Sequence, residues 1–248
     1  MTTVDDFIRD YYRARLDWQT TWMGYPSVKT PTDLWVIQEI LTQTKPGLVI
    51  ECGTFAGGSA LFYGHVLDAN RREKTARVLT IDTTPPNPVG SVVEGFPFPP
   101  NHPRVVFLRG STVNPKTVEE IQKGYGAGSL GTRTMVLLDS QHEAKHVRRE
   151  LELWAPLVSP GCYLVVEDTI INGNPVTLED TGDDGLRTQL EGITKDGGPG
   201  EALEDWLTTQ PEGRWTVDVS REKFMLTYNR GGYLLRNPEP NSRTEERD

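Results

Sequence analysis

Asp139 and His142, in LLDSQH, and the adjacent acids Glu167 and Asp168, in VVEDT, are residues whose types and spacing can do chemistry together. The first pair sets a carboxylate at the end of an apolar run, with an imidazole three residues on. The second sets two carboxylates at the end of the next apolar run. If those runs are neighbouring strands, all four groups converge above the strand ends. Three crowded acids push one another's pKa values up unless a cation compensates. Carboxylate oxygens suit a hard divalent ion, most simply Mg2+, with water and substrate completing its shell. One condition is geometric: consecutive strand residues face opposite ways, so Glu167 and Asp168 share an ion only if the strand breaks between them. The same stretch spells a rival chemistry. His142-Glu143-Ala144-Lys145-His146 reads H-E-x-x-H, which in a zinc peptidase puts two histidines on one helical face. That motif belongs inside a helix, whereas His142 closely follows a buried strand and at best begins one.

A second chemical stretch is LVIECGTFAGGS, Leu48 to Ser59. Its apolar start reads as a buried parallel strand. Gly53, Gly57 and Gly58 then permit a tight turn and close approach of backbone to a ligand. From Ser59 on, Leu61, Phe62, Val66 and Leu67 keep helical spacing. Strand, glycine turn and helix N-terminus make a cofactor cradle, or else an ordinary strand-to-helix turn. The dinucleotide pattern G-x-G-x-x-G fails, because Thr54-Phe55-Ala56 separate Gly53 from the next glycine. E-x-G-T-x-x-G-G-S instead resembles the S-adenosylmethionine (SAM) motif of Rossmann-like methyltransferases, in which Glu51 faces the methionine ammonium. Asp82, closing the next strand, is placed to accept hydrogen bonds from ribose hydroxyls.

The elements that must hold these groups alternate. Val4, Phe7, Ile8, Tyr11, Tyr12 and Leu16 give an N-terminal amphipathic helix. Thr30 as N-cap and Pro31 at the first helical position start another, running to about Thr44. Strands are expected at 78–82, 105–109, 134–139 and 161–167, with helices at 115–123, 145–154 and 201–208. Segments 215–218 and 223–228 read as a closing hairpin. The fold is therefore α/β: a doubly wound, mostly parallel seven-stranded sheet with a C-terminal antiparallel hairpin, the order of Rossmann-like class I methyltransferases. Residues 1–45 would form a helical cap on the substrate side, 46–236 the catalytic domain and 237–248 a polar tail. The loops 83–103, rich in proline, and 172–200 leave the ligand side of the sheet and are long enough to be lids. The acidic run Glu179, Asp180, Asp183 and Asp184 reads as solvated surface. Trp18, Trp22, Tyr25 and Phe96 are either acceptor wall or core, while His65, His102 and His146 read as structural.

Composition narrows the partners. A formal net charge of -9 argues against non-specific nucleic-acid binding. The 2 cysteines, Cys52 and Cys162, fall in predicted buried strands, so no disulfide framework is implied. No apolar run approaches the roughly 20 residues of a membrane span, and residues 1–10 lack a signal-peptide core. A cytoplasmic protein with a small-molecule partner is expected; a homo-oligomer stays open.

GTFAGGSALF, TIDT, HPRVVFLRGST, VLLDSQH, PLVSPGCYLVVEDTIINGNPV and KFMLTYNRGGYLLR occur in order between Trp22 and Arg236. They resemble the cephalosporin hydroxylase family, whose members resemble SAM- and metal-dependent O-methyltransferases of natural-product and sugar hydroxyls, rhamnosyl methyltransferases included. The resemblance implies SAM held by Glu51, Gly53, Thr54, Gly57, Gly58, Ser59, Asp82, Ser111 and Asp139. It also implies Mg2+ bound by Asp139, Glu167 and Asp168, with His142 as general base toward a hydroxyl acceptor, a glycoside by preference. Many relatives carry an acid just before that histidine, where this chain has Gln141; the departure touches substrate contacts rather than base or ligands. A catalytically inactive SAM-binding protein is the alternative of another class. An iron-dependent hydroxylase would want two histidines and one carboxylate, which the three-acid set does not supply.

Overall fold

Thr30, Pro31 and Asp33 start a helix in the expected way: the Thr30 hydroxyl accepts from the Asp33 amide at 3.0 Å, and Pro31 fills the first turn. The computed structural model describes residues 3–70, 75–85, 101–129, 131–180, 191, 193 and 195–238. Phe96, Asp183, Asp184, most of the proline-rich loop, the middle of the 172–200 loop and the tail beyond 238 lie outside them.

Helix α1 (Val4–Arg13) is closed at its start by a Thr3–Asp6 capping box. A two-stranded ribbon follows, β1 (Thr21–Trp22) and β2 (Tyr25–Pro26), then α2 (Pro31–Thr44). The sheet begins with β3 (Leu48–Cys52), α3 (Gly58–Ala69), β4 (Arg77–Asp82) and β5 (Val105–Arg109). It continues through α4 (Pro115–Tyr125), β6 (Thr134–Leu138), α5 (Ala144–Trp154) and β7 (Tyr163–Val166). Helix α6 (Pro199–Thr208), β8 (Trp215–Val217) and β9 (Tyr233–Arg236) complete it.

Seven strands lie in the order β5-β4-β3-β6-β7-β9-β8, the first five mutually parallel. Every residue of β3 and β6 is buried, as expected of central strands covered on both faces. Alternate side chains go to opposite layers. Ile50, Cys52, Val136 and Leu138 pack with Leu151, Trp154 and Trp206 of α5 and α6. Val49, Met135 and Leu137 pack with Ile37, Ile40 and Leu41 of α2 and with Leu67 of α3. Helix α2 is thus built into the body of the sheet, whereas α1 packs through Ile8 and Tyr12 on Ile170, Ile171 and Tyr228.

The closing hairpin differs from its expected register. Its second strand is β9, not 223–228; Phe224 and Met225 are 42% and 64% exposed, while Tyr233 and Leu234 are fully buried. Both stretches are apolar enough to be strands, and burial against β7 selects the later one. β9 runs antiparallel between β7 and β8.

Candidate active site

The sheet order reverses between β3 and β6: from β3 the chain builds outward through β4 and β5, then returns to β6 on the other side. Ligands of doubly wound sheets bind beyond the strand ends at such a switch point. Here the exit loops of β3 and β6 touch. The Asp139 amide donates to the Cys52 carbonyl at 2.9 Å. A side chain at Gly53, whose φ is +99°, would put its Cβ 1.9 Å from the Asp139 carbonyl oxygen. Gly57, also left-handed, caps α3, and a Cβ on Gly58 would lie 2.3 Å from the Pro26 carbonyl oxygen.

Two acids brace this cradle from behind. Glu51 is fully buried and accepts from the Ser59 and Thr80 hydroxyls at 2.6 Å each. Desolvation pushes its carboxyl up to about 7, against the opposing pull of Lys29 and the two hydroxyls. The side chain expected to face a ligand ammonium therefore sits beneath the cleft and does not line it. Asp82 Oδ2 accepts from the Thr54 and Phe55 amides at 3.1 and 3.3 Å, and its Oδ1 from the Thr84 amide at 3.1 Å. Neither Asp82 nor Ser111, Gly57 and Gly58 line the cleft as it stands, whereas Gly53, Thr54, Ser59 and Asp139 do.

That cleft has a volume of about 430 Å3. One wall is the cradle, a second the loop from Asp139 to Glu143, and the far wall carries Tyr12, Asp17, Trp18 and Tyr228. Of the aromatic residues left open by sequence, Trp18 faces the cleft. Trp22 instead packs edge-on against Phe62 and donates to His65 Nδ1 at 2.8 Å, and Tyr25 is buried.

At the acidic end, donor atoms of Asp139, His142 and Asp168 lie within 4.8 Å of one another. The strand does break where metal sharing would require it: β7 stops at Val166, and Asp168 adopts a left-handed φ of +57°. The turn nevertheless sends the two acids different ways. Asp168 Oδ2 lies 3.3 Å from His142 Nε2, while Glu167 Oε2 lies 2.6 Å from Lys29 Nζ. Lys29 also reaches Asp139 Oδ2 at 2.6 Å. The site thus contains a cation that sequence reasoning missed. Its one local signal was adjacency to the Thr30 cap, which fixes the loop without saying what it faces.

Electrostatics follow from this crowding. Burial and the neighbouring acids raise Glu167 well above the ordinary carboxylate range, with Lys29 opposing, and desolvation pushes Asp168 up to about 6 despite His142. Burial alone would lower the Lys29 ammonium's pKa, but Asp139 and Glu167 raise it well above that of free lysine.

The H-E-x-x-H spelling does not close on an ion. His142 precedes α5, and His146 turns to another set of partners: Ser140 Oγ at 3.0 Å, Thr112 Oγ1 at 3.3 Å and Glu150 Oε1 at 3.4 Å.

A seven-stranded sheet of this order, with a glycine cradle at its switch point, defines a Rossmann-like methyltransferase. Residues 15–237 match the family model of rhamnosyl O-methyltransferase/CmcI. A rhamnosyl O-methyltransferase of Mycobacterium tuberculosis (strain ATCC 25618 / H37Rv) is 35% identical over 229 residues, 92% of this chain and 82% of that one. Its namesake from Mycobacterium leprae (strain TN) is 33% identical, over 91% of this chain and 87% of that one. Among solved structures, CmcI with Mg and SAM has a TM-score of 0.55 at 15% identity, covering 89% of this chain and 78% of that one. The chain belongs to the rhamnosyl O-methyltransferase/CmcI family, and it is an S-adenosylmethionine-dependent O-methyltransferase. Among the described residues, no helix is long and apolar enough to cross a membrane.

Proposed function

We propose that this chain methylates a hydroxyl of a sugar or glycosylated natural product, with SAM in the cradle and Mg2+ at the acidic end of the same cleft. The observation that supports this best is the convergence of Asp139, His142 and Asp168 on the wall that continues into Gly53 and Thr54. The donor set fits the ion. Asp139 and Asp168 offer hard oxygens within reach of one ion, while Glu167 turns to Lys29 and keeps its Oε1 buried without a hydrogen-bond partner. The cradle fits the nucleoside donor in that Gly53, Thr54 and Ser59 line the cleft where the turn runs into the N-terminus of α3.

When bound, SAM supplies a methyl group whose leaving group departs as a neutral thioether, and Mg2+ supplies the field that makes an alcohol more acidic. His142 takes the hydroxyl proton, a role worth about 10²–10⁴-fold. Asp168, beside Nε2, orients that ring. Glu51 and Asp82 hold the cradle's shape through Ser59, Thr54 and Phe55. The segment ahead of α2 caps the substrate side: Tyr12 and Trp18 offer flat apolar faces to a sugar ring, and Asp17 a carboxylate to its hydroxyls. The name shared by the mycobacterial relatives supports a deoxysugar acceptor. Two buried free thiols, Cys52 and Cys162, accord with a reducing, cytoplasmic setting.

The test is a thermal-shift series with SAM, then Mg2+, with EDTA as control, followed by glycoside acceptors screened for a methyl-sized mass gain. Stabilisation by SAM and methylation that EDTA suppresses are expected. Stabilisation by zinc alone would overturn the reading, and SAM binding without any methylated product would leave an inactive binder.

A further inference from the structure

Lys29 takes no part in the chemistry above, yet its side chain is only 3% exposed. A buried ammonium is costly unless paired; this one is paired twice, with Asp139 and with Glu167. Its loop is pinned on both sides, by the Ser27 amide donating to the Thr20 carbonyl at 2.9 Å and by the Thr30 cap of α2. The pairing is still short of charge. Asp139 and Glu167 face this lysine with Glu51 behind them, Asp168 stands on the far side against His142, and Glu167 Oε1 stays buried without a partner. Asp139 belongs to two sets at once, the lysine's and the group within reach of His142 and Asp168.

We infer that Lys29 is a built-in counter-cation: it holds the acidic site together without metal, competes with a divalent ion for Asp139 and withholds Glu167 from it. The inference rests on the metal reading above. Its consequence is that the Lys29 charge sets the threshold for metal binding. An ion arriving at Asp139 must either sit beside an ammonium or displace it, and both oppose binding. Without the lysine, like charges crowd in the metal-free protein and all three acids are open to the ion.

The test needs neither acceptor nor turnover. Full-length protein, wild type and the variants Lys29→Met, Lys29→Gln and Lys29→Arg, is stripped with EDTA and titrated with Mn2+, free ion being followed by electron paramagnetic resonance. Lys29→Met is expected to bind Mn2+ about tenfold or more tightly than wild type. It should also melt lower in EDTA and gain a larger upward shift with Mn2+, while Lys29→Arg stays near wild type. A folded Lys29→Met with wild-type or weaker affinity overturns the inference and leaves the metal reading standing. If wild type and Lys29→Met both bind no Mn2+, the metal reading falls and this inference with it. If Lys29→Met folds only with Mn2+ present, the inference is supported. If it does not fold at all, Lys29→Gln, which keeps donors without the charge, decides by the same affinity criterion.

Discussion

His142 Nε2 lies 3.3 Å from Asp168 Oδ2, across the gap between the exit loops of two adjacent strands. β6 and β7 pair in parallel with Leu138 opposite Val166, so residues just beyond each strand end meet. The carboxylate positions the ring. Because His142 is partly exposed and stands in the loop ahead of α5, its removal should spare the fold. His142→Ala is expected to keep SAM affinity and lose about 10²–10⁴-fold in turnover. Calorimetric SAM binding alongside kcat checks this. Turnover close to wild type would remove His142 from the base role.

Gly53 carries a constraint of a different kind. An added methyl would overlap the Asp139 carbonyl oxygen at 1.9 Å, on a residue already at φ +99°. Both penalties act together, so Gly53→Ala should cost about 3 kcal/mol or more and separate the β3 and β6 loops. Gly124 in α4 has nothing within 4 Å of the same construction. Gly124→Ala should therefore stabilise by about 0.5–1 kcal/mol. Urea unfolding of the pair, with SAM binding measured on each, separates a steric role from general intolerance of change. Equal effects of the two substitutions would contradict the geometry.

Asp82 closes the cradle by accepting from two consecutive amides, Thr54 and Phe55. Asp82→Ala removes the acceptor of those donors; the Phe55 amide is exposed and can turn to water, so the cost should be about 0.5–1.5 kcal/mol. It also removes the expected ribose acceptor. A loss of SAM affinity of about tenfold or more should accompany the lower stability. Asp82→Asn, which keeps an acceptor oxygen, should restore most of the stability but not all of the affinity. If both variants bind SAM as wild type does, the acid serves the turn alone.

How far the sequence carried depends on how local each signal was. The start of α2, the buried run of β3 and the left-handed Gly53 were legible because a cap, an apolar run and a glycine act within a few residues. Of the four groups expected to converge, Asp139, His142 and Asp168 meet because each pair follows a buried run and those runs are neighbours in the sheet, whereas Glu167 turns to Lys29. Lys29 was not legible, since its partners lie 110 and 138 positions along the chain. The side of the strand to which Glu51 turns was equally hidden: a buried acid served by Ser59 and Thr80 and an acid facing the cleft have the same sequence. β9 was misplaced because KFMLTY and YLLR are both plausible strands, and only packing against β7 chooses between them.

Asp17 joins stability to acceptor binding. It is 5% exposed, lines the cleft and has no hydrogen-bond partner at Oδ1. Burial pushes its carboxyl up to about 6 from 3.8, with backbone amides and Arg15 opposing. A carboxyl whose folded pKa lies above its unfolded value favours folding when protonated. That contribution is complete below the unfolded pKa and is lost as pH rises through about 6. Asparagine has no charge to bury, so Asp17→Asn should be more stable than wild type by about 1–3 kcal/mol near pH 8. The difference should shrink to nothing near pH 4, where wild-type Asp17 is protonated or close to it. The same variant should bind a glycoside acceptor about tenfold more weakly, because a carboxylate facing sugar hydroxyls makes charge-assisted hydrogen bonds that an amide cannot. Denaturant unfolding across this pH range, paired with KM for the acceptor, reads both effects. A variant less stable than wild type at pH 8 would mean that the ionised carboxylate is already satisfied, and its acceptor role would lose its basis.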